Sequence, residues 1–347
     1  MKTEFPVTLS QSAKQASRAI SRQRTVMLHS HPGLGKSSIL KQLAKKHNLF
    51  VIDWRGSTAD PTDLSGMPDT SGKYATYKPF DTFPLMNTAI PINPETKLPY
   101  NGWLLLMDEF NSAPRSVMAA AYKLILDREV GQHKLHPRVA IAAAGNFATS
   151  GAIVNPMGTA AQSRMSHLVI EADLTEFVEH GIKSGFDSRV LAFVGHRRKL
   201  LHNFTPDVVH LSFTCPRTWE MVSDYVKGEE NVRQWLPLLA GTIGDGAAAE
   251  FVTFTELSID LPKFDEIVMA PETTMVPDEA GHLYAMVGTI SDALTPANVD
   301  EAMKYVNRMS KEYQYLIVRG ASARDPNLQY KPSIDKWIEE NAEFLFG

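Results

Sequence analysis

Residues 25–40 read "TVMLHSHPGLGKSSIL", an apolar run that gives onto two glycines, a lysine and two serines, and its reading decides the fold. "TVMLHS" (25–30) has the composition of a buried strand. From Lys36 to about residue 48, Ile39, Leu40 and Leu43 share one helical face and lysines take the other, so a crossover helix is expected. Between them, "SHPGLGKS" (30–37) follows G-x-x-x-x-G-K-[ST] everywhere except its first position, where Ser30 stands for glycine. In that pattern backbone N–H groups converge on a phosphate, the lysine reaches the outer phosphates and the hydroxyl serves a magnesium ion. The N-terminus of the following helix adds partial positive charge. His31, Pro32, Gly33, Leu34, Gly35, Lys36, Ser37 and Ser38 are therefore the candidate nucleotide-binding residues. An ordinary strand-to-helix turn would explain the glycines, but not the lysine and hydroxyl beside them.

Working outward, short apolar runs alternate with amphipathic stretches: "LFVIDW" (49–54), "WLLLMDE" (103–109), "RVAIAAAGN" (138–146) and "SHLVIEAD" (166–173) read as further strands. Strands separated by helices predict a parallel sheet covered on both faces, an α/β fold with an αβα core. "APRSVMAAAYKLILDREVG" predicts another helix, with Pro114 in its first turn and Gly131 as its stop. Residues 58–100 carry seven prolines and several aromatics without a sustained period, which marks an irregular insertion with room for a short hairpin. From about residue 174 the pattern is helical, with helices expected over 187–204, 216–228, 230–240, 245–257, 299–317 and 333–345, and no assignment for 258–298. The expected domains are 1–173, a helical unit 174–260, and a mainly helical extension 261–347.

Two further strand ends carry chemistry. "LLLMDEF" (104–110) ends an apolar strand in two acids, where a carboxylate faces the ligand crevice of an open α/β sheet. Asp108 is placed to hold magnesium and Glu109 to orient or deprotonate a water. "AIAAAGN" (140–146) ends on Asn146, which either reaches the γ-phosphate or serves as a turn residue.

The composition bounds the rest. The chain has 347 residues, is 44% hydrophobic and carries 35 Lys+Arg against 39 Asp+Glu, a formal charge of −4. A nucleic-acid partner is thus unsupported, because no overall positive field is present. One cysteine, Cys215, fits a reducing compartment and reads as a packed small residue. No signal peptide or membrane span is evident, so a cytoplasmic location is expected.

The phosphate loop, "DE" after an apolar strand, a later strand ending in Asn, then "QSRMSH" (162–167) and "CPRTWE" (215–220), in that order, resemble an AAA+ ATPase of the MoxR-like, dynein-related branch, similar to CbbQ-type and cobaltochelatase-type motors. The likeness runs across much of residues 20–260, with echoes in "DPTDLSGMP" (60–68), "YKLILDREVG" (122–131) and "PRTWEMVS" (216–223). It implies a P-loop core followed by a helical lid, a homo-oligomeric, hexameric ring, and ATP and Mg²⁺ as ligands. It also implies hydrolysis that remodels or activates a protein partner, such as one with a von Willebrand factor A domain. By the same resemblance Asn146 is the sensor 1 residue, Arg164 the arginine finger and Arg217 the sensor 2 residue, so the catalytic set is Lys36, Glu109, Asn146, Arg164 and Arg217, with Ser37 and Asp108 on the metal. Each arginine also has a plain reading as a surface cation or carboxylate partner. The family's frequent "DEINRA" is "DEFNSA" (108–113) here, with Ser112 in place of an arginine that Arg115 or Arg128 could replace. Two other functions remain open: a nucleic-acid motor or ATPase subunit of a DNA-targeting complex, and a non-hydrolysing nucleotide-dependent scaffold.

Other features read more plainly. His167, His180, His196, His202 and His210 lack metal-ligand spacing and read as scattered solvent histidines. "HRRKLL" (196–201) reads as the exposed face of a helix. Tyr74, Tyr77, Phe80 and Phe83 either anchor the insertion or present a binding surface.

Overall fold

The computed structural model describes residues 4–147, 155, 157–205, 211–257 and 261–341. Two compact units meet in the chain at Ala172 and Asp173.

The first unit is built on a parallel five-stranded sheet. Along the chain it contains helix α1 (Leu9–Ser21), strand β1 (Val26–Ser30), α2 (Lys36–Lys46), β2 (Leu49–Arg55), α3 (Pro61–Ser65), β3 (Met67–Asp69), β4 (Thr76–Lys78), β5 (Gly102–Asp108), α4 (Arg115–Leu126), β6 (Glu129–Val130), β7 (His133–Lys134), β8 (Val139–Asn146), α5 (Thr159–Gln162) and β9 (Ser166–Val169). The sheet order is β2-β5-β8-β1-β9, with every pair parallel. Alternation along each strand splits the apolar side chains between two layers. Leu28, Leu104, Leu106, Ala142 and Ala144 pack with Leu40 and Leu43 of α2 and with Ala16 and Ile20 of α1. Met27, Leu105, Met107, Ile141 and Ala143 pack with Val117, Ala121 and Leu124 of α4. This is the expected αβα phosphate-loop core, and all five strands fall where the apolar runs placed them.

Two small hairpins decorate it. β3 pairs antiparallel with β4 inside the 58–100 insertion, and β6 with β7. The second corrects the reading of Gly131: α4 ends at Leu126, and Gly131 turns the β6-β7 hairpin at φ 57°, where an added β-carbon would meet the Ser65 carbonyl at 2.4 Å. α1 was not anticipated from the sequence, although Thr8 and Gln11 form a reciprocal capping box at its start.

The second unit is helical among the described residues: α6 (Leu174–Ser184), α7 (Ser188–His196), α8 (Pro216–Val226), α9 (Leu236–Ile243), α10 (Asp245–Leu257), α11 (Phe264–Met269), α12 (Ala280–Ala293), α13 (Val299–Val306), α14 (Lys311–Arg324) and α15 (Pro332–Glu340). One hydrophobic core runs from Phe177 to Trp337, so residues on both sides of position 260 share it. Its centre is a group of aromatic edges, Phe193 against Trp219, Phe251 and Phe254 at 5.4–5.5 Å between ring centroids. The single helix expected over 299–317 is two. The break follows Val306, where buried Gln314 donates to the carbonyls of Asn307 and Met309, and Trp337 Nε1 donates to Gln314 Oε1 at 2.7 Å. The helix expected over 187–204 likewise ends at His196, and Arg198–Leu200 form a 3₁₀ turn whose Leu200 carbonyl accepts from Trp219 Nε1. Cys215 is buried.

Candidate functional site

The site lies at the carboxyl ends of the central strands, and its assembly follows from the strand order. β1 leads to β2 at the far edge, and β5 and β8 then fill the gap, so β1 lies beside β8 and one strand away from β5. The register pairs Ser30 with Asn146 and Met107 with Ala143. The loop after β1, the two acids after β5 and the last residue of β8 therefore open into one crevice.

In the loop, Gly33 and Gly35 adopt φ 84° and 81°, a region costly for residues with a β-carbon, so these two glycines turn the backbone toward the N-terminus of α2. Leu34 is buried, Ser38 is exposed, and His31 and Pro32 are half-buried. The His31 ring sits edge-on to Phe147 at 4.9 Å, and its pKa is lowered by burial first and then by Lys36. Lys36 is 8% exposed, and its ammonium donates to Ser30 Oγ at 2.7 Å, to Asn146 Oδ1 at 3.0 Å and to the His31 carbonyl at 3.2 Å. The Ser30 carbonyl lies at 3.4 Å as well, so the lysine is aimed across the loop by these oxygens rather than left to sample rotamers.

Ser37 Oγ donates to Asp108 Oδ2 at 2.6 Å, joining residues 71 apart in sequence. A hydroxyl and a carboxylate side by side are hard oxygen donors of the kind magnesium takes one or two of while keeping its waters, so these residues fit that ion. Asp108 Oδ1 accepts from the Glu109 backbone N–H at 2.9 Å, which orients the carboxylate. Glu109 itself has φ 50°, a left-handed conformation costing roughly 1–2 kcal/mol for a residue with a β-carbon. Its Oε2 accepts from Ser57 Oγ, just past β2, and its backbone carbonyl lies against Gly56, where an added β-carbon would approach it to 2.9 Å. A strained acid held on both sides is what a positioned catalytic carboxylate requires.

Asn146 is the last residue of β8 rather than a left-handed turn residue. Its carbonyl accepts from Asn111 Nδ2 at 2.6 Å, and Gly145 leaves the space that Asn111 occupies. The structure thus brings together Lys36, Ser37, Asp108, Glu109 and Asn146. Arg164 is exposed two residues beyond the end of α5, and Arg217 is the exposed second residue of α8 in the second unit. Arg128 Nη2 donates to the Val139 carbonyl, and Arg115 is exposed at the start of α4.

Three participants were missed in the sequence. Ser30 is fully buried and bonds Lys36 directly; the departure from glycine was visible, but its partner was not. Ser57 carries no motif. His29 belongs to no motif, and His167, which reads as a solvent histidine in the sequence, is bonded to it at 2.9 Å. Burial first, then His167 and Lys36, lower the His29 pKa to about 4. His210 lies outside the described residues. No cluster of three or more metal-ligating side chains occurs among the described residues.

In the insertion, Tyr74, Tyr77 and Phe80 are exposed and Phe83 is buried, so only Phe83 acts as an anchor. Within the 196–201 stretch Arg197, Arg198 and Lys199 are exposed, Leu201 is buried, and two of the cations form ion pairs, Arg197 with Glu250 and Arg198 with Glu312. The second unit also contains a cleft of about 470 Å³ between α6, α7, α12 and α14, where Arg198 faces Glu312 and Arg319 faces Glu179, so these charges are already neutralised. No described helix is long and apolar enough to cross a membrane.

No family model matches the sequence, and no curated protein matches it. Among solved structures it is similar to the RuvB Holliday junction branch migration motor of Thermotoga maritima, at 16% identity over 76% of this chain and 74% of that one, TM-score 0.34. It is also similar to a protein from Cytophaga hutchinsonii whose ATPase activity is itself only proposed, at 14% identity over 97% of this chain and 90% of that one, TM-score 0.33. Likeness at this distance carries no functional argument, and the chemistry rests on the residues themselves.

Proposed function

We propose that this protein is a Mg²⁺-dependent ATPase of the AAA+ type. The observation that carries this reading is the pairing of Ser37 with Asp108 at 2.6 Å beside a lysine held by Ser30 and Asn146, a constellation drawn from three strand ends.

In this reading the backbone amides from Gly33 to Ser37 bind the β-phosphate, and Lys36 turns its charge to the β- and γ-phosphates. Ser37 and Asp108 hold magnesium, which when bound offsets the charge on the phosphate oxygens. Water attacks the γ-phosphorus, the bond to the β-γ bridging oxygen breaks, and Glu109 takes the proton from the attacking water as ADP and phosphate form. Asn146 reaches the γ-phosphate or the attacking water.

The resemblance to the MoxR-like branch extends the proposal. Chains assemble as a ring, a hexamer by that resemblance, and Arg164 of one chain acts on the γ-phosphate bound by its neighbour. Such an arginine raises the rate of related phosphoryl transfers by roughly 10³–10⁵. Arg217 serves as the sensor of the helical lid. The work is done on a protein partner, of which one with a von Willebrand factor A domain is the type suggested, in the cytoplasm. A dilution series tests the shared site: phosphate release per chain rises with concentration, and Arg164→Ala still binds ATP but does not turn it over. Equal rates in diluted and concentrated protein would defeat the shared site, and stimulation by DNA that weakens with salt would favour a nucleic-acid motor.

A further inference from the structure

The His29–His167 pair lies between two parts of the proposed machinery that are otherwise distant in sequence. His29 is on β1, immediately before Ser30, and is 3% exposed. His167 is on the neighbouring strand β9, and its side chain points to the same face of the sheet as that of His29. His167 Nδ1 meets His29 Nε2 at 2.9 Å, and His167 Nε2 meets the Gln162 carbonyl at 3.0 Å. A carbonyl can only accept, so His167 carries its proton on Nε2. Its Nδ1 is then an acceptor, and His29 Nε2–H donates to it. The carbonyl therefore fixes the tautomer of both rings, and two hydrogen bonds link the base of the phosphate loop to the last residue of α5.

Two residues after Gln162 comes Arg164. Ala161 and Met165 are buried in the sheet-side core, so the turn between them presents Arg164 outward. The other end of α5 is held separately, where Gly158 N–H donates to Tyr122 Oη of α4 at 2.8 Å and Gln162 Nε2 donates to the Met157 carbonyl. α5 is only four residues long, so it contributes little rigidity of its own and takes its position from these attachments.

We propose that His29 and His167 are positioning residues for Arg164, tying the turn that carries it to the phosphate loop of the same chain. A chain's own loop then sets where it holds the arginine offered to its neighbour. The inference rests on the reading of Arg164 as a residue that acts across a subunit boundary.

The test is a double-mutant cycle on the full-length protein. His167→Leu lowers kcat at least about ten-fold, the scale expected when a catalytic group is displaced by a fraction of an ångström or more, and leaves the dissociation constant of a fluorescent ATP analogue within about three-fold. His167→Gln, which keeps a donor for the Gln162 carbonyl, recovers most of kcat. Adding His167→Leu to Arg164→Ala costs nothing further. If the two changes multiply, or if His167→Leu weakens nucleotide binding as much as it lowers kcat, the pair acts independently of Arg164 and the proposal is overturned. If Arg164→Ala alone leaves kcat unchanged in concentrated protein, the underlying reading of Arg164 fails and the inference falls with it. Melting curves check folding, and should His167→Leu not fold, His29→Gln in the same cycle gives the same discrimination.

Discussion

Replacing Ser30 with alanine separates two roles that its position could serve. Ser30 is fully buried, its Oγ accepts from Lys36 Nζ at 2.7 Å and donates to the His31 carbonyl at 2.7 Å, and its backbone does not adopt positive φ. Glycine's freedom is therefore not needed there, and the change removes contacts without adding strain. Lys36 keeps Asn146 Oδ1 and the His31 carbonyl, so no buried charge is stranded and the loss is close to that of one charge-assisted hydrogen bond, about 1.5–3 kcal/mol. For a unit of this size each kcal/mol lowers Tm by roughly 2–4 °C, so the nucleotide-free variant should melt about 3–12 °C lower. Saturating ATP gives Lys36 phosphate oxygens instead, and the difference from wild type should narrow. Thermal melts with and without nucleotide, with a binding titration alongside, read all of this. An unchanged Tm without nucleotide would refute the Ser30–Lys36 bond. Loss of ATP affinity beyond about 100-fold, or about 2.7 kcal/mol, would mean that the serine touches the nucleotide itself.

Other outcomes follow from the same geometry. His29 is held neutral, with its pKa at about 4 against 6.5 when exposed, so the unfolded chain binds the extra proton between those values. Its contribution is therefore complete above pH 6.5 and is lost as pH falls toward 4, by about 2 kcal/mol at pH 5; His29→Gln should show a shallower acid loss in urea titrations, and an identical slope would contradict this. In Gly145→Ala the new β-carbon would lie 2.1 Å from Asn111 Oδ1 and 2.6 Å from Met27 Cε, so stability should drop by about 1–3 kcal/mol, and an unaltered denaturation midpoint would count against the packing described. Asp108→Asn should raise the Mg²⁺ concentration for half-maximal turnover by at least about ten-fold, and an unchanged metal dependence would remove Asp108 from the ion.

How far the sequence could be read differs between fold and site. The sheet was legible because fully buried parallel strands are written as continuous apolar runs: "WLLLMD" and "VAIAAAGN" are buried along nearly their whole length. The loop was legible because its groups are local. α1 left a signal in Thr8 and Gln11 that the surrounding polar residues obscured, its buried face being only Ser12, Ala16 and Ile20. The break after Val306 had no local marker, because Gln314 and Trp337 impose it from further along the chain. The same holds at the site: Ser30, Ser57 and His29 acquire their roles from partners 6, 52 and 138 residues away, which no spacing rule reports.

A comparison of wild type with Glu109→Gln, measuring phosphate release from ATP in the presence of Mg²⁺ together with nucleotide binding, tests the proposed hydrolysis most directly. Removal of a general base of this kind costs about 10²–10⁴-fold, so wild type should release phosphate while the variant binds ATP undiminished and turns it over at no more than about one hundredth of the rate. Equal turnover in the two proteins, or failure of the wild type to bind ATP at all, would contradict it.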